Sequence, residues 1–346
     1  MLIVTLAGGI GSGKSTVAAA LAECGARLLS LDDVARDVLS PGEEAVREVG
    51  DLWPEAVREG KIDRAALARI VFDDAAALAR LNAVVHPRTW ERAQAQLASW
   101  REESLQAQSA REFVVVVVEL ALLAGSPYQD AYHGTIVVDA PEDVRVLRLV
   151  DSRGMDEADA RARIASQTPA SRVRELADVV VDNGGSLEDA ARAARELWEG
   201  WLVPYAANMR EGRRVFGGDA PPSPGQRARA AARLTRQGAF VNRESALGGG
   251  GGETAGDKGG GVLEIVGPAD ESSLAKAGFV PCAGELRAAS QTYKSRRVSP
   301  DARRDASGDS GDVASGSGNC APGGPRLYVS ADPRFAMAAV VTGEHD

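Results

Sequence analysis

The chain is 346 residues long, 44% hydrophobic and 26% charged, a composition that suits about two domains with buried cores. Lys and Arg number 40 against 49 Asp and Glu, and the formal net charge of −9 argues against broad nucleic-acid binding, which calls for a basic face. No run approaches the ~18 apolar residues of a membrane span. The start, Met-Leu-Ile-Val-Thr-Leu-Ala, lacks the basic stretch and cleavage site of a signal peptide. Cys24, Cys282 and Cys320 are too scattered for a disulfide framework or a cysteine-rich zinc site, and Cys24 reads as a small buried residue at a helix end. The expectation is a cytoplasmic protein with no membrane or nucleic-acid partner.

Residues 1 to about 205 alternate short β-branched runs with helical patterns. A strand over 2–7 leads into a helix over 14–23, and a weaker strand covers 27–31. Helical patterns then span 64–71, 75–85 and 88–107, with His86-Pro87 read as the end of one helix and the start of the next. Residues 113–118 hold five consecutive valines, the signature of a strand buried on both faces, and 135–139 and 179–182 look similar. Helices are expected over 142–151, 157–167 and 187–201. Strand–helix alternation implies a parallel sheet with helices on both sides.

Beyond about residue 210 the character changes. Residues 206–261 read as a linker: a Pro221-Pro222-Ser223-Pro224-Gly225 breaker, a short basic helix bearing Arg227, Arg229, Arg233 and Arg236 on a solvated face, then a glycine-rich tract. In 262–346 only 262–266, 272–280 and 327–341 look ordered, too little for an independent core.

The segment Gly8-Gly9-Ile10-Gly11-Ser12-Gly13-Lys14-Ser15-Thr16 fits G-x-x-x-x-G-K-[ST] between an apolar strand and a helix, where that motif must sit. Its glycines let the backbone approach phosphate oxygens, and the helix N-terminus adds partial positive charge. Gly11, Ser12, Gly13, Lys14, Ser15 and Thr16 are the candidate ATP-binding residues, with Lys14 reaching the β- and γ-phosphates and the Ser15 hydroxyl offered to Mg²⁺. No Asn-Lys-x-Asp stretch reads guanine. A kinase also needs a carboxylate for its acceptor hydroxyl, arginines for the moving phosphoryl group and a lid. Asp32 and Asp33 follow the second strand at the sheet's ligand-collecting edge, although one of them could instead cap a helix starting near Val34. Arg36 faces the same mouth. Arg145, Arg148 and Arg153 precede Gly154 and a second charged helix, a pattern that suits a phosphate-closing lid and equally a solvated face.

Together these residues resemble the dephospho-CoA kinase family. The likeness rests on the phosphate loop and on Asp32-x-x-Ala35-Arg36, Ile62-Asp63-Arg64-x-x-Leu67, Leu81-Asn82-x-x-Val85-His86-Pro87 and Arg148-x-x-x-x-Arg153-Gly154. It continues through Ala162-Arg163-Ile164-Ala165-Ser166-Gln167 and Ala177-Asp178-x-x-x-Asp182-Asn183, covering roughly residues 1–205. The resemblance implies a three-layer α/β P-loop kinase fold with a parallel five-stranded sheet, an acceptor-side helical region near 60–110 and a lid near 145–170. It implies transfer of the ATP γ-phosphate to the ribose 3′-hydroxyl of dephospho-CoA, with Mg²⁺. Asp32 then matches the acceptor-side base and Lys14 and Arg148 the phosphoryl-stabilising cations. Arg153 belongs to the lid, and Arg36 and His86 to the acceptor site. Ser30 stands where the family usually has a carboxylate. Glu119-Leu-Ala121-Leu-Leu-Ala-Gly125 replaces its Asp-x-Pro-Leu-Leu-x-Glu, which puts one acceptor wall in question. The tail faintly resembles a truncated GrpB-like domain, expected to be largely disordered. Another small-metabolite kinase, or a nucleotide-binding regulator without turnover, are the competing readings.

Overall fold

The computed structural model of the chain describes residues 1–72, 74–106, 113–121, 123–126, 128–211, 224–236, 240–246, 261–266, 274, 279–281, 326–330 and 337–342. In chain order the first elements are β1 (Leu2–Gly8), α1 (Lys14–Glu23), β2 (Arg27–Ser30), α2 (Leu31–Val38) and α3 (Glu44–Leu52). A small hairpin of β3 (Val57–Arg58) and β4 (Lys61–Ile62) precedes α4 (Arg64–Phe72) and the long α5 (Ala75–Gln106). Then come β5 (Val115–Leu120), β6 (Gly134–Asp139), α6 (Glu142–Arg153), α7 (Glu157–Ala165), α8 (Ala170–Glu175), β7 (Val179–Asp182) and α9 (Leu187–Leu197). A π-helical turn, Trp198–Leu202, and α10 (Val203–Glu211) follow, then α11 (Pro224–Arg236), β8 (Phe240–Ala246), β9 (Gly261–Val266), β10 (Phe279–Pro281), β11 (Arg326–Ser330) and β12 (Met337–Thr342).

The chain divides into two units, Met1–Gln129 with Gly134–Arg195, and Asp130–His133 with Glu196–Asp346. The first holds a five-stranded sheet of order β2-β5-β1-β6-β7, parallel throughout. The valine run explains the position of β5: Val115–Val118 are buried, which requires neighbours on both edges and cover on both faces. β1 lies beside it with Leu2, Val4 and Leu6 wholly buried, so the loop after β1 leaves from the centre of the sheet. Because all strands run the same way, Gly8, Ser30, Glu119, Asp139 and Asp182 gather at one edge, where the crevice of an open α/β sheet lies.

Two local expectations are corrected. His86-Pro87 does not separate two helices: α5 runs through Pro87 from Ala75 to Gln106. Proline removes one backbone donor, and nearby side chains make up hydrogen bonds around it. Arg88 Nη1 donates to the Val84 carbonyl at 2.9 Å, Thr89 Oγ1 to that of Val85 at 2.9 Å, and the Tyr128 hydroxyl to that of His86 at 3.1 Å. Burial of Ala77, Val84, Val85, Ala93 and Leu97 along one stripe holds the helix together across the break.

The second correction concerns the cap of α2. The helix begins at Leu31 rather than near Val34, and neither aspartate caps it. Ser30 does, with its Oγ accepting from the Asp33 N–H at 3.1 Å. The residue standing in place of a carboxylate therefore has a structural task, and Asp32 and Asp33 both lie in the first helical turn, where negative charge is favoured. Ser30→Ala is expected to cost about 1 kcal/mol, lowering the thermal midpoint of a unit this size by about 2–4 °C, with Ser30→Asp restoring it.

In the second unit, the Tyr205 hydroxyl donates to the His133 carbonyl at 3.4 Å, and Trp201 tilts against Tyr205. The tail strands pair as β10-β11-β12-β9-β8, antiparallel except for β12 beside β9. Strands thus occur in all three stretches read as ordered, and in Phe240–Ala246, which the sequence did not single out. The basic helix is present as α11, but its face is not wholly solvated: Arg233 is buried along with Ala230 and Ala231. Cys24, expected to be buried, is half-buried at the C-cap of α1. The expectations for the tracts at 248–260 and 299–325, and for Cys282 and Cys320, lie outside the described residues.

Candidate active site

The loop Gly8–Lys14 turns on glycines whose need is geometric. Gly11 and Gly13 have φ of +76° and +84°, in the left-handed region that a side chain disfavours. Gly13 is the N-cap of α1, and a Cβ there would lie 2.1 Å from Asn183 Nδ2. The Ser12 N–H donates back to Gly9 O at 3.1 Å, closing the turn. Ser15 and Thr16 start α1, which aims its N-terminus at the space the loop encloses.

Lys14 pairs with a residue the sequence had treated as a departure. Its Nζ lies 3.6 Å from Glu119 Oε2, with both side chains 16% exposed. Glu119 sits on β5 in register with Leu6 of β1 and Ser30 of β2, so it stands between the loop and the Asp32 side of the edge. The Gly125 departure is also explained. Its φ is +73° in a tight turn where Ser126 N–H donates to Leu123 O at 3.1 Å.

From the other side, α6 backs the loop with two arginines one turn apart. Arg148 donates to Ser12 O at 3.3 Å and to Gly185 O at 3.0 Å. Arg145, 7% exposed, donates through Nε to Ile10 O at 2.8 Å and through Nη2 to Gln167 Oε1 at 2.8 Å. Burial lowers the pKa of Arg145 below the ordinary arginine value, opposed by the nearby Asp139 and Glu142 carboxylates. Asn183 donates from Nδ2 to Ser12 O at 2.8 Å and from its backbone to Asp139 O at 2.7 Å. Arg174 bridges Asp139 and Asp182 at 2.8 and 2.9 Å, and these hydrogen bonds, Asp139 first, raise its pKa. Arg153 ends α6 exposed beside Gly154, and makes no hydrogen bond to the loop among the described residues.

The acceptor-side candidates converge. Asp32, Arg36 and His86 line one cavity of about 430 Å³, whose walls include Leu39, Leu67 and Val71. Arg36 Nη1 lies 2.5 Å from Asp33 Oδ1, and the His86 ring is tilted at 56° to that of Tyr128, with centroids 6.1 Å apart.

Two buried polar atoms, Ser12 Oγ within the loop and Asn183 Oδ1 beside it, have no hydrogen-bond partner among the described residues. Buried polar atoms of this kind call for a hydrogen-bonding partner such as water or a ligand group. Among the described residues no three His, Cys, Asp or Glu side chains gather as a metal-ligand group. A Mg²⁺ ion carried in by a nucleotide asks for less, one or two protein oxygens beside phosphate and water, and the exposed Ser15 hydroxyl at the start of α1 meets that need.

From sequence, Gln167 and Asn183 had no site role, and Arg145 stood only among the basic residues of the lid pattern. Gln167 and Asn183 stand in the quoted family motifs, but their partners lie 157 and 171 residues away, beyond any spacing rule.

Residues 2–189 match the family model of dephospho-CoA kinase. The chain belongs to the dephospho-CoA kinase family. The dephospho-CoA kinase of Thermobifida fusca is 42% identical over 201 residues, 58% of this chain and 96% of that protein. The dephospho-CoA kinase of Mycolicibacterium paratuberculosis is 38% identical over 211 residues, 60% of this chain and 49% of that protein, so the chain spans about half the length of that relative. The crystal structure of TT1252 from Thermus thermophilus superposes with a TM-score of 0.50 at 37% identity, covering 57% of this chain and 97% of the other. The family thus accounts for the parallel sheet, the phosphate loop and the helices on its two sides. No described helix is long and apolar enough to cross a membrane.

Proposed function

We propose that the chain transfers the γ-phosphate of ATP to the ribose 3′-hydroxyl of dephospho-CoA, giving CoA and ADP. One juxtaposition supports this beyond family membership: at one sheet edge the phosphate loop stands beside an acceptor cavity that holds a carboxylate, a guanidinium and an imidazole. Gly11–Thr16 hold the triphosphate by backbone N–H groups and the α1 N-terminus. Asp32 accepts the proton of the 3′-hydroxyl as its oxygen bonds to the γ-phosphorus, and the bond from that phosphorus to the β-γ bridging oxygen breaks. Lys14 and Arg148 neutralise charge on the moving group, Arg153 contributes from the lid, and Arg36 and His86 hold the acceptor. Mg²⁺, when bound with the nucleotide and held by Ser15, supplies further charge neutralisation. The same reading places the enzyme in the cytoplasm, with no nucleic-acid or membrane partner, and keeps the 1–205 domain as the catalytic part. The 206–261 segment is then a linker and 262–346 a degenerate remnant.

The test is to incubate the full chain with ATP, Mg²⁺ and dephospho-CoA, with adenosine and shikimate as competing acceptors, and to follow products by mass. CoA should form, and form from dephospho-CoA in preference. ATP binding without CoA would overturn the acceptor assignment and turn attention to the Ala121–Gly125 wall.

A further inference from the structure

The phosphate loop is held at its rim by a closed ring of hydrogen bonds that the phosphoryl-transfer scheme does not use. Gln167 Oε1 accepts from the Ile10 N–H at 3.0 Å and from Arg145 Nη2 at 2.8 Å, while Arg145 Nε donates to the Ile10 carbonyl at 2.8 Å. Both polar groups of one loop peptide residue are thus taken by side chains from α6 and from just beyond α7. The approach is close: a Cβ at Gly9 would lie 2.5 Å from Arg145 Nη2, and one at Gly11 2.7 Å from the Arg145 carbonyl. The Ile10 side chain adds a packing contact, set against the cluster of Val146, Leu149, Ala160 and Ile164 that joins α6 to α7.

We propose that Arg145 and Gln167 are positioning residues for the ATP reaction, fixing the loop rim to α7 so that loop and lid respond to the nucleotide as one body. This rests on the kinase reading above and extends it. Arg145 lies one helical turn before Arg148, on the face that looks at the loop. If the ring is intact, α6 cannot slide along the loop, and the Arg148 guanidinium stays over Ser12 and Gly13. If the ring opens, the loop can still fold, since its glycine turns and Asn183 contact are separate, but Arg148 loses its register with the phosphates. Bound phosphate orders the loop, and through the ring and Ile10 that order reaches α7.

The test compares Gln167→Leu with Gln167→Glu in the full chain. Glutamate keeps an oxygen to accept from both donors, whereas leucine keeps the volume and the packing but accepts nothing. Loss of a charge-assisted hydrogen bond predicts that kcat/KM for ATP of the Leu variant falls about tenfold below that of the Glu variant. A residue that served packing alone would give the reverse order, since Leu suits a half-buried apolar site better than a carboxylate. Arg145→Met should bring a loss similar to Gln167→Leu, and the double variant should be no worse than either, because both break one ring. Hydrogen exchange gives a readout independent of turnover: ATP should slow exchange in both the loop and α7 of the wild type, but in the loop alone of Gln167→Leu. Equal activity of the Leu and Glu variants, losses that multiply, or α7 protection that survives in Gln167→Leu would overturn the proposal. Should the wild type bind ATP without making CoA, the acceptor reading falls, and the exchange pattern still decides this inference.

Discussion

Lys14→Ala is expected to lower kcat for CoA formation at least about a thousandfold, the upper range for removal of one preorganised transition-state donor. Lys14 is the loop's own cation, and the two α6 arginines bonded to the loop cannot substitute without leaving a partner: Arg148 is engaged by Ser12 O and Gly185 O, and Arg145 by Ile10 O and Gln167. The substitution also exposes a second effect. Glu119, 3.6 Å from Lys14 Nζ, becomes an uncompensated negative charge facing the place of the triphosphate. Part of the loss is therefore repulsion, and adding Glu119→Gln to Lys14→Ala should recover roughly tenfold, the scale of one unit charge acting over a few ångströms in a partly screened site. The fold should notice too, because Glu119 is left without its partner in a largely buried site: the unfolding midpoint is expected to fall by several degrees in Lys14→Ala and to recover in the double variant. Steady-state kinetics on the single and double variants, with circular dichroism melts beside them, check all three statements. A double variant no better than Lys14→Ala would show that Glu119 takes no part in the resting electrostatics of the loop.

What could be read from the sequence was what local rules govern. The strand–glycine–helix run of β1, loop and α1 is local, and so is the lid signal, where Gly154 takes φ of +60° at the C-cap of α6 and Asp156 caps α7 through the Ala158 and Asp159 N–H groups. The valines of β5 announce a central strand because only burial on both faces explains them. Three features escaped. Pro87 reads as a break, but packing of α5 over its whole length outweighs one missing hydrogen bond. Ser30 reads as a lost carboxylate until its Oγ is seen to cap α2. The ring of Ile10, Arg145 and Gln167 joins residues separated by 22, 135 and 157 positions, so no window along the chain contains it. The parallel pairing of β9 with β12 in the tail is long-range in the same way: it joins strands separated by a low-complexity tract.

Asp32→Asn should separate chemistry from binding. Asp32 occupies the first turn of α2 and looks into the acceptor cavity with Arg36 and His86. Asparagine is nearly isosteric, and the helix does not depend on Asp32 for its cap, which Ser30 supplies to the Asp33 N–H. The variant should therefore fold and melt as the wild type does. It should bind ATP with a dissociation constant changed by less than about twofold, because the phosphate loop and Lys14 lie on the far side of Glu119. Only proton removal from the 3′-hydroxyl is lost, and general-base catalysis is worth about 10²–10⁴ in kcat. Asp33 is the control. Its carboxylate is already paired with Arg36 at 2.5 Å, so Asp33→Asn loosens an acceptor-side guanidinium and should raise KM for dephospho-CoA more than it lowers kcat. If Asp33→Asn collapsed kcat while Asp32→Asn left it standing, the base would be the neighbour, and the pairing of Asp33 with Arg36 would have to open in every catalytic cycle. With kcat lost in Asp32→Asn alone, the pair instead divides its labour, one carboxylate taking the proton and the other orienting the arginine that holds the acceptor.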